Sequence, residues 1–547
     1  MSTIPKDFLP PSDSLPKKIY DLPELQFPVD LNIVDYCIDR HVRSGKANKV
    51  LIYYNDEKIT YLEMQQRINK LANALKKLGI GKNDRVMLRS PNNPVIFSAY
   101  YACWRIGAIP VLTQNMLRDH DIYYRANDSE AKAMIVSSDT FPDVEKVLSE
   151  MKTVKDIIVF GERQDGFLFL DDLVRNEPVE ITPEKVDPDE YFRIIYSSGT
   201  TGRPKGILNT PKDMVSLMET YGRHVLKLKS DDIIGGHPAF AFAFGFSLVV
   251  FHGFVGSSVS LTDRFSAEHM FEMVEKHKIS VLLCVPTAFR MMMQVKDAEK
   301  KYDLSSLRLC QSAGEPLPGD VAKEWRRRFG MLILDSVGSG EINYWLTTTE
   351  TTPDDKLESS GKPFPGVEIR LVDSSFKDVP KGAEGEMLIM APWGNTYWRN
   401  QDKQRNSVVD GWSKTGLIFK QDEDGYYWFQ GRDDEMIVSG GHKIPAGDVE
   451  LAVLQHPAVM ETAVVASPDP VRGNKVKAFI LLKSGYNASD ALAEEIQNFV
   501  KTKIAAYKYP REIEFITEKD TPRTVTGKIK RLELRDREIA KAKNKGK

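Results

Sequence analysis

One stretch limits this chain more than any other: a short apolar run that breaks into a string of small residues. Residues 191–206 read YFRIIYSSGTTGRPKG. Ile194-Ile195-Tyr196 has the character of a buried strand. Ser197, Ser198, Gly199, Thr200, Thr201 and Gly202 follow, then Arg203-Pro204-Lys205-Gly206. Without bulky Cβ substituents, backbone N–H groups can converge on one point. Four hydroxyls and the Lys205 ammonium add donors. The stretch reads as a polyanion cradle, with a nucleoside triphosphate as the expected anion. It is not a Walker A loop, because Pro204 stands five residues after Gly199 and Gly206 follows Lys205 where Ser or Thr is needed. A solvated surface loop shares this composition, and only the rest of the chain separates the two readings.

Around the cradle, strand and helix patterns alternate. Val50–Tyr54 and Lys58–Thr60 form an expected hairpin, and Thr60-Tyr61-Leu62-Glu63 is a capping box opening a helix to about Leu78. Strand patterns at Arg85–Arg89, Ile109–Leu112, Ala133–Val136 and Ile157–Phe160 alternate with helical ones at Pro94–Trp104 and Leu117–Ala126. A second series follows: helix Ala267–His277, strand Ile279–Cys284, helix Pro286–Val295 and strand Leu307–Gln311. Such alternation implies an α/β protein built on open, mainly parallel sheets. From residue 362 to about 430 the texture changes to short strands and turns, a β-rich subdomain. A boundary at 432/433 gives a large N-terminal domain, 1–432, and a small α+β domain, 433–547.

Bulk properties exclude several classes. A net charge of −2 over 547 residues carries no bias toward nucleic acid. The four cysteines, Cys37, Cys103, Cys284 and Cys310, lie far apart without a CxxC pair, so neither a zinc site nor a disulfide framework is expected. The first residues show no signal pattern, which leads us to expect a cytoplasmic protein. Ile233–Thr262 has no formally charged residue, yet Gly235, Gly236, Pro238 and Gly245 interrupt it. It reads as buried core and pocket wall, with no membrane span.

Four further motifs stand in order after the cradle. Ser312-Ala313-Gly314-Glu315-Pro316-Leu317 and Asp335-Ser336-Val337-Gly338-Ser339-Gly340-Glu341 each follow a strand pattern, where open α/β sheets bind ligands. Trp412–Leu417 (WSKTGL) precedes Asp422-Glu423-Asp424-Gly425-Tyr426 and Gly431-Arg432. Thr524-Val525-Thr526-Gly527-Lys528 lies in a basic C-terminal stretch. Phe240, Phe242, Phe244 and Phe246 alternate with Ala241, Ala243 and Gly245, and in extended chain their rings would point one way.

Taken together, YSSGTTGRPKG, the motifs after it and PRTVTGKIKR resemble the adenylate-forming superfamily over roughly residues 30–535. The chain looks most like the acid–CoA ligases of the benzoate, 2-aminobenzoate and medium-chain acyl types; SPDPVRGNKVKAF and YKYPR are shared with the last. The resemblance implies ATP, Mg²⁺ and CoA as co-reactants of a carboxylic acid, and it admits a homodimer. It implies that the cradle, with Thr200 and Lys205, holds the β- and γ-phosphates. By the same resemblance Gly314, Glu315 and Pro316 line adenine, Asp335–Glu341 complete the nucleotide site, Glu341 ligates Mg²⁺, and Arg432 holds ribose or phosphate. Phe242, Phe244, Gly245, Gly314 and Gly338 would face the acid. No Asp lies in the Phe240–Phe246 segment, so an α-amino acid is not the expected substrate. Lys528 would be the catalytic lysine, withdrawn by rotation about a hinge at Asp434. That rotation brings in Gly440 and Gly441, and CoA would meet Gly440, Lys443, Arg472, Lys501 and Tyr509.

Three positions depart from the family pattern. Val337 and Gly340 replace the usual Tyr and Thr, and Leu417 stands where an Asp normally binds both ribose hydroxyls. Loss of such a contact weakens nucleotide binding by about 1.5–3 kcal/mol. Two other readings therefore stay open: an enzyme that loads a carrier protein, and a nucleotide- or acyl-binding homologue with impaired catalysis.

Overall fold

The computed structural model describes residues 4–197, 204–432, 436–439, 442–470, 472–505, 507–523 and 529–545. By their internal contacts these form two units. One comprises Met1–Ser197, Lys205–Ile369 and Leu388–Lys414; the other comprises Arg370–Met387 and Thr415–Lys547.

The first unit is built on two sheets. Strands β1 (Val50–Tyr54) and β2 (Glu57–Thr60) are the expected hairpin. The Thr60 hydroxyl then accepts from the Glu63 N–H, while the Glu63 carboxylate accepts from the Thr60 N–H at 2.7 Å. This box starts the helix Tyr61–Lys77, which buries Met64, Ile68, Leu71 and Leu75. One sheet contains β3 (Arg85–Arg89), β4 (Ile109–Thr113), β5 (Ala133–Ser137), β6 (Asp156–Phe160), β7 (Leu168–Phe169), β8 (Arg193–Ser197) and β9 (Lys205–Asn209). Its order is β7-β6-β5-β3-β4-β8-β9, parallel throughout except that β8 and β9 run antiparallel. Full burial on both faces explains why β3, β4 and β5 read as continuous apolar runs.

The other sheet adds β10 (Ile233–Gly236), β11 (Ser258–Leu261), β12 (Val281–Leu283), β13 (Leu309–Ala313), β14 (Ile333–Ser339) and β15 (Asn343–Thr347) to β1 and β2. Its order is β15-β14-β13-β12-β10-β11-β1-β2, with antiparallel pairs only at its two ends. Strand β13 runs two residues further than its sequence pattern suggests. Strand β14 continues through Ser339, so Asp335–Ser339 belongs to a strand and not to the loop expected after Leu332–Asp335.

The region 368–432 carries five short strands: β16 (Glu368–Val372), β17 (Glu384–Met390), β18 (Val408–Val409), β19 (Trp412–Gln421) and β20 (Tyr427–Arg432). These strands divide between the two units, and beyond them the second unit contains the hairpin β21 (Met436–Ser439) and β22 (His442–Pro445). A three-stranded sheet follows, β23 (Val459–Asp469), β24 (Gly473–Leu482) and β25 (Glu512–Phe515), with helices Ala446–Leu454, Asp490–Lys503 and Arg531–Lys545. Its core packs Ile437, Ile444, Val449, Val464, Ile480 and Val500. Lys477 is buried there, and its ammonium meets Glu512, Glu514 and Glu538 at 2.8, 2.7 and 3.0 Å. All four cysteines are buried free thiols. Among the described residues no helix is long and apolar enough to cross a membrane.

Candidate functional site

Ser197 closes β8 and pairs across the antiparallel ladder with Lys205, which opens β9. Ser198, Gly199, Thr200, Thr201 and Gly202 lie outside the described residues, as do Asp434, Gly440, Gly441 and Lys528. Behind the hairpin, the Tyr196 hydroxyl donates to Asp128 at 2.6 Å, and burial pushes the phenol's pKa well up. Gly206 is fixed by crowding. A Cβ there would meet the Trp398 Cβ at 2.9 Å, and the Trp398 N–H donates to the Gly206 carbonyl.

The 335–341 motif packs against this hairpin. A Cβ on Gly340 would stand 3.1 Å from Ile207 Cδ1 of β9 and 3.3 Å from Ile195 Cδ1 of β8. A side chain at this position would need both isoleucine tips to give by a few tenths of an ångström. Two sequence motifs 140 residues apart thereby share one corner. Gly338 sits opposite Tyr344 beside a bulge in the β14–β15 ladder, and a Cβ there would meet the Asn343 carbonyl oxygen at 2.4 Å. Val337 and Ser339 are half-buried in the same strand. Asp335 is buried, and desolvation raises its carboxyl to about 7. The Leu317 N–H donates to Oδ2 at 3.4 Å, while Oδ1 has no partner among the described residues. Gly314 follows β13 with φ +92°, and Glu315 accepts from the Thr287 hydroxyl at 3.1 Å.

Glu341 lies near Tyr397, whose phenol is pushed up by burial and by that carboxylate. No group of three or more His, Cys, Asp or Glu side chains among the described residues could hold a metal. A single carboxylate suits Mg²⁺ only where substrate phosphates and water supply the other ligands. Glu341 at the cradle corner fits that requirement.

The phenylalanine alternation is not a strand, which corrects the sequence reading. Phe242 is the half-buried N-cap residue of the helix Ala243–Val250. Positions two apart on a helix cannot share a face. The Phe240 ring meets Phe97 and Tyr100, and the Phe246 ring meets Tyr100, Trp104 and the Arg193 guanidinium. Phe244 is buried on the helix itself. Gly245 is held by contact, since a Cβ would meet the Ala239 carbonyl oxygen at 2.0 Å.

In the second unit Leu417 of β19 faces Arg432 of β20 across their antiparallel register. Backbone register places Lys443 opposite Val438. Arg472 lies in the β23–β24 turn, where its N–H donates to Asp469 at 2.9 Å. Lys501 and Tyr509 come together, the ammonium 4.4 Å from the ring centre, and Arg511 joins them by donating to the Tyr509 hydroxyl at 3.0 Å. Sequence reasoning missed Arg511. It also missed Gln311, Ser247 and Tyr344, because a lone polar residue inside an apolar run carries no periodic signal.

Comparison with known proteins agrees with this arrangement. The AMP-binding enzyme family model matches residues 38–397, and the AMP-binding enzyme C-terminal domain model matches 448–528. The benzoate–CoA ligase of Thauera aromatica is 32% identical over 94% of this chain and 97% of its own length. The acetyl-coenzyme A synthetase of Bacillus subtilis is 35% identical over 93% of this chain and 91% of its own. The solved anthranilate CoA ligase AuaEII, in complex with anthranoyl-AMP, superposes with a TM-score of 0.87 at 33% identity, covering 95% of this chain and all of that one. The chain therefore belongs to the AMP-binding enzyme family and is an acid–thiol ligase on the adenylate-forming fold.

Proposed function

We propose that this enzyme activates a neutral carboxylic acid, with a ring or medium-length aliphatic body, using MgATP, and passes the acyl group to CoA. The observation that carries the reading is the packing of Gly340 on Ile195 and Ile207. It packs the 335–341 motif, which ends in Glu341, against the hairpin whose paired ends are Ser197 and Lys205. A carboxylate oxygen attacks the α-phosphorus and pyrophosphate leaves. The CoA sulfur, having lost its proton, then attacks the acyl carbon and AMP leaves. Lys205, with Ser198 and Thr200, holds the β- and γ-phosphates. Lys528 bridges the carboxylate and α-phosphate, where charge accumulates in the transition state. Magnesium beside Glu341 would neutralise charge on the phosphates when bound. Asp335 Oδ1 is open to adenine, as acceptor when ionised and as donor when protonated, and Arg432, with Leu417 opposite, is left to hold ribose. For CoA, the Lys501–Tyr509–Arg511 group presents two cations and a ring, with Arg472 and Lys443 as further cations. The division at 432/433, with Asp434 as hinge and Gly440-Gly441 passing the pantetheine chain, belongs to the same proposal.

The body of the acid follows from Ile233–Thr262, which brings rings and no formal charge to the helix Ala243–Val250. A panel of carboxylates scored by pyrophosphate release and thioester formation tests this. Benzoate-like acids should exceed acetate in kcat/KM; acetate or a dicarboxylate as the best substrate would remove the pocket assignment. Lys528→Ala should lower pyrophosphate release by about 10²–10³-fold, yet still convert supplied acyl-AMP and CoA to thioester. Equal damage to both half-reactions would remove the separate role of Lys528. Leu417→Asp should tighten the KM for ATP, and an unchanged KM would show that ribose is held elsewhere.

A further inference from the structure

Gln311 sits in β13, fully buried, and neither its amide oxygen nor its amide nitrogen has a hydrogen-bond partner among the described residues. A buried amide left this way is destabilising, so a native chain keeps one only for a reason. The register says where the side chain points. Gly236 of β10, Leu283 of β12, Gln311 and Leu334 of β14 form one row across four parallel strands, so their side chains leave the sheet on one face. The neighbouring row, with Cys310, faces the other way, where Cys310 meets Met331.

On the Gln311 face stand two more buried polar groups. Ser247, in the helix Ala243–Val250, has its hydroxyl 3.2 Å from the hydroxyl of Tyr344. Burial pushes the Tyr344 phenol up, and Ser247 and Gln311 draw it back by hydrogen bonding. The amide thus lies within reach of this pair, although neither of its atoms makes a hydrogen bond of ordinary geometry. On its other side Tyr344 is tied into a run of ring and hydroxyl contacts. Its ring stacks on Tyr221 at 4.5 Å, whose hydroxyl meets Ser336 at 2.5 Å, and Ser336 meets Thr347 at 3.0 Å. On the side of Ser247 and Tyr344, the Gln311 amide keeps hydrogen-bonding capacity that these two hydroxyls do not meet. These residues lie among the positions expected to face the acid: Phe244 and Gly245 share the helix with Ser247, Gly338 is the ladder partner of Tyr344, and Gly314 follows β13.

We infer that Gln311, with the Ser247–Tyr344 hydroxyl pair, is a specificity element that receives a neutral hydrogen-bonding substituent, a hydroxyl or an amino group, on the body of the acid. This rests on the acid–CoA ligase reading of the same site. An amide offers both an acceptor and two donors, so it serves either substituent. No formally charged side chain lies between Ile233 and Thr262 to balance a second carboxylate or an ammonium from that helix. A site whose buried polar groups are met by the right substrate rejects the analogue that leaves them unmet.

The test compares matched acids that differ in one group: hydroxy-, amino- and methyl-substituted benzoates of each ring position, the same series on a medium aliphatic chain, and a dicarboxylate. Thioester formation is measured with wild type, Gln311→Met and Tyr344→Phe. Wild type should prefer a hydroxy or amino acid over its methyl isostere by about tenfold or more in kcat/KM. Gln311→Met should bring that ratio to about threefold or less. Tyr344→Phe, which keeps the ring and removes only the hydroxyl, should lower the ratio by a smaller factor. It also carries the test if Gln311→Met does not fold, as judged by circular dichroism. A wild type that favours the methyl acid or the dicarboxylate overturns the inference, as does a preference that survives both variants, while the ligase reading stands. Absence of thioester from every acid overturns the ligase reading and this inference with it.

Discussion

Just past the helix Ala243–Val250, His252 meets Tyr61 and Tyr101; midway along it, Ser247 meets Tyr344 beside Gln311. Both groups are buried and polar, and they differ in how fully they are bonded. The His252 ring nitrogens lie 3.2 and 3.0 Å from the two tyrosine hydroxyls, one of them also 3.1 Å from the Val249 carbonyl, and the hydroxyls lie 2.7 and 2.6 Å from the Ser257 and Val249 carbonyls. That network closes on itself and leaves nothing to offer a ligand. The Gln311 amide has both ends open. A closed network serves the fold, because removing one member strands the others. An open one is tolerated only where something outside the fold completes it. Asp335, with one oxygen bonded and one open, lies between the two cases.

The sharpest way to break this contrast is His252→Leu, which removes one polar partner from each of two buried tyrosine hydroxyls. We expect a loss of about 2–4 kcal/mol in unfolding free energy. A loss within error would mean that the network is not structural.

Next comes pH. Burial depresses His252 to about 3 and His41 to about 4, both below the ordinary value near 6.5. The folded chain keeps these rings neutral while the unfolded chain protonates them, so stability should fall as pH drops from about 6.5 toward 3. Thermal midpoints across that window check it, and in His252→Leu the decline should be shallower.

Asp335→Asn should act in the opposite sense. Because burial raises this carboxyl to about 7, the folded chain holds a proton that the unfolded chain has released, and stability falls as pH rises from about 4 through 7. The variant should therefore unfold at a higher temperature than wild type at pH 8, and at a similar one at pH 4. A deficit at pH 8 would show a charged, well-solvated Asp335.

The smallest effect belongs to Gln311→Met. Replacing an amide whose hydrogen bonds are unmade by an apolar chain of similar length removes that penalty and should raise stability by about 1 kcal/mol. A loss as large as that of His252→Leu would erase the distinction between the two groups.

Much of the first unit could be read from the residues, since buried parallel strands announce themselves as apolar runs bounded by turns. The cradle's flanks and the capping box at Thr60 were legible for the same reason: their geometry needs particular residues at fixed spacing. The Phe240–Phe246 segment misled because its helix is apolar nearly all round. With Phe, Ala, Leu and Val on every side, no polar face marks the helical period, and a two-residue alternation of ring size takes its place. Strand β14 outran its pattern because Ser336, Gly338 and Ser339 look like a turn, whereas the antiparallel pairing with β15 holds them extended. Gln311 was illegible since only the register of four strands shows which way it points.

The pairing of Ser197 with Lys205 works as a fixed gauge. Side chains on β9 alternate between faces. A slip of this pairing by one position would turn Lys205 and Ile207 to the opposite face and carry Ile207 away from Gly340. The register of one pair therefore decides which side chains of the hairpin meet the 335–341 motif and which face away from it.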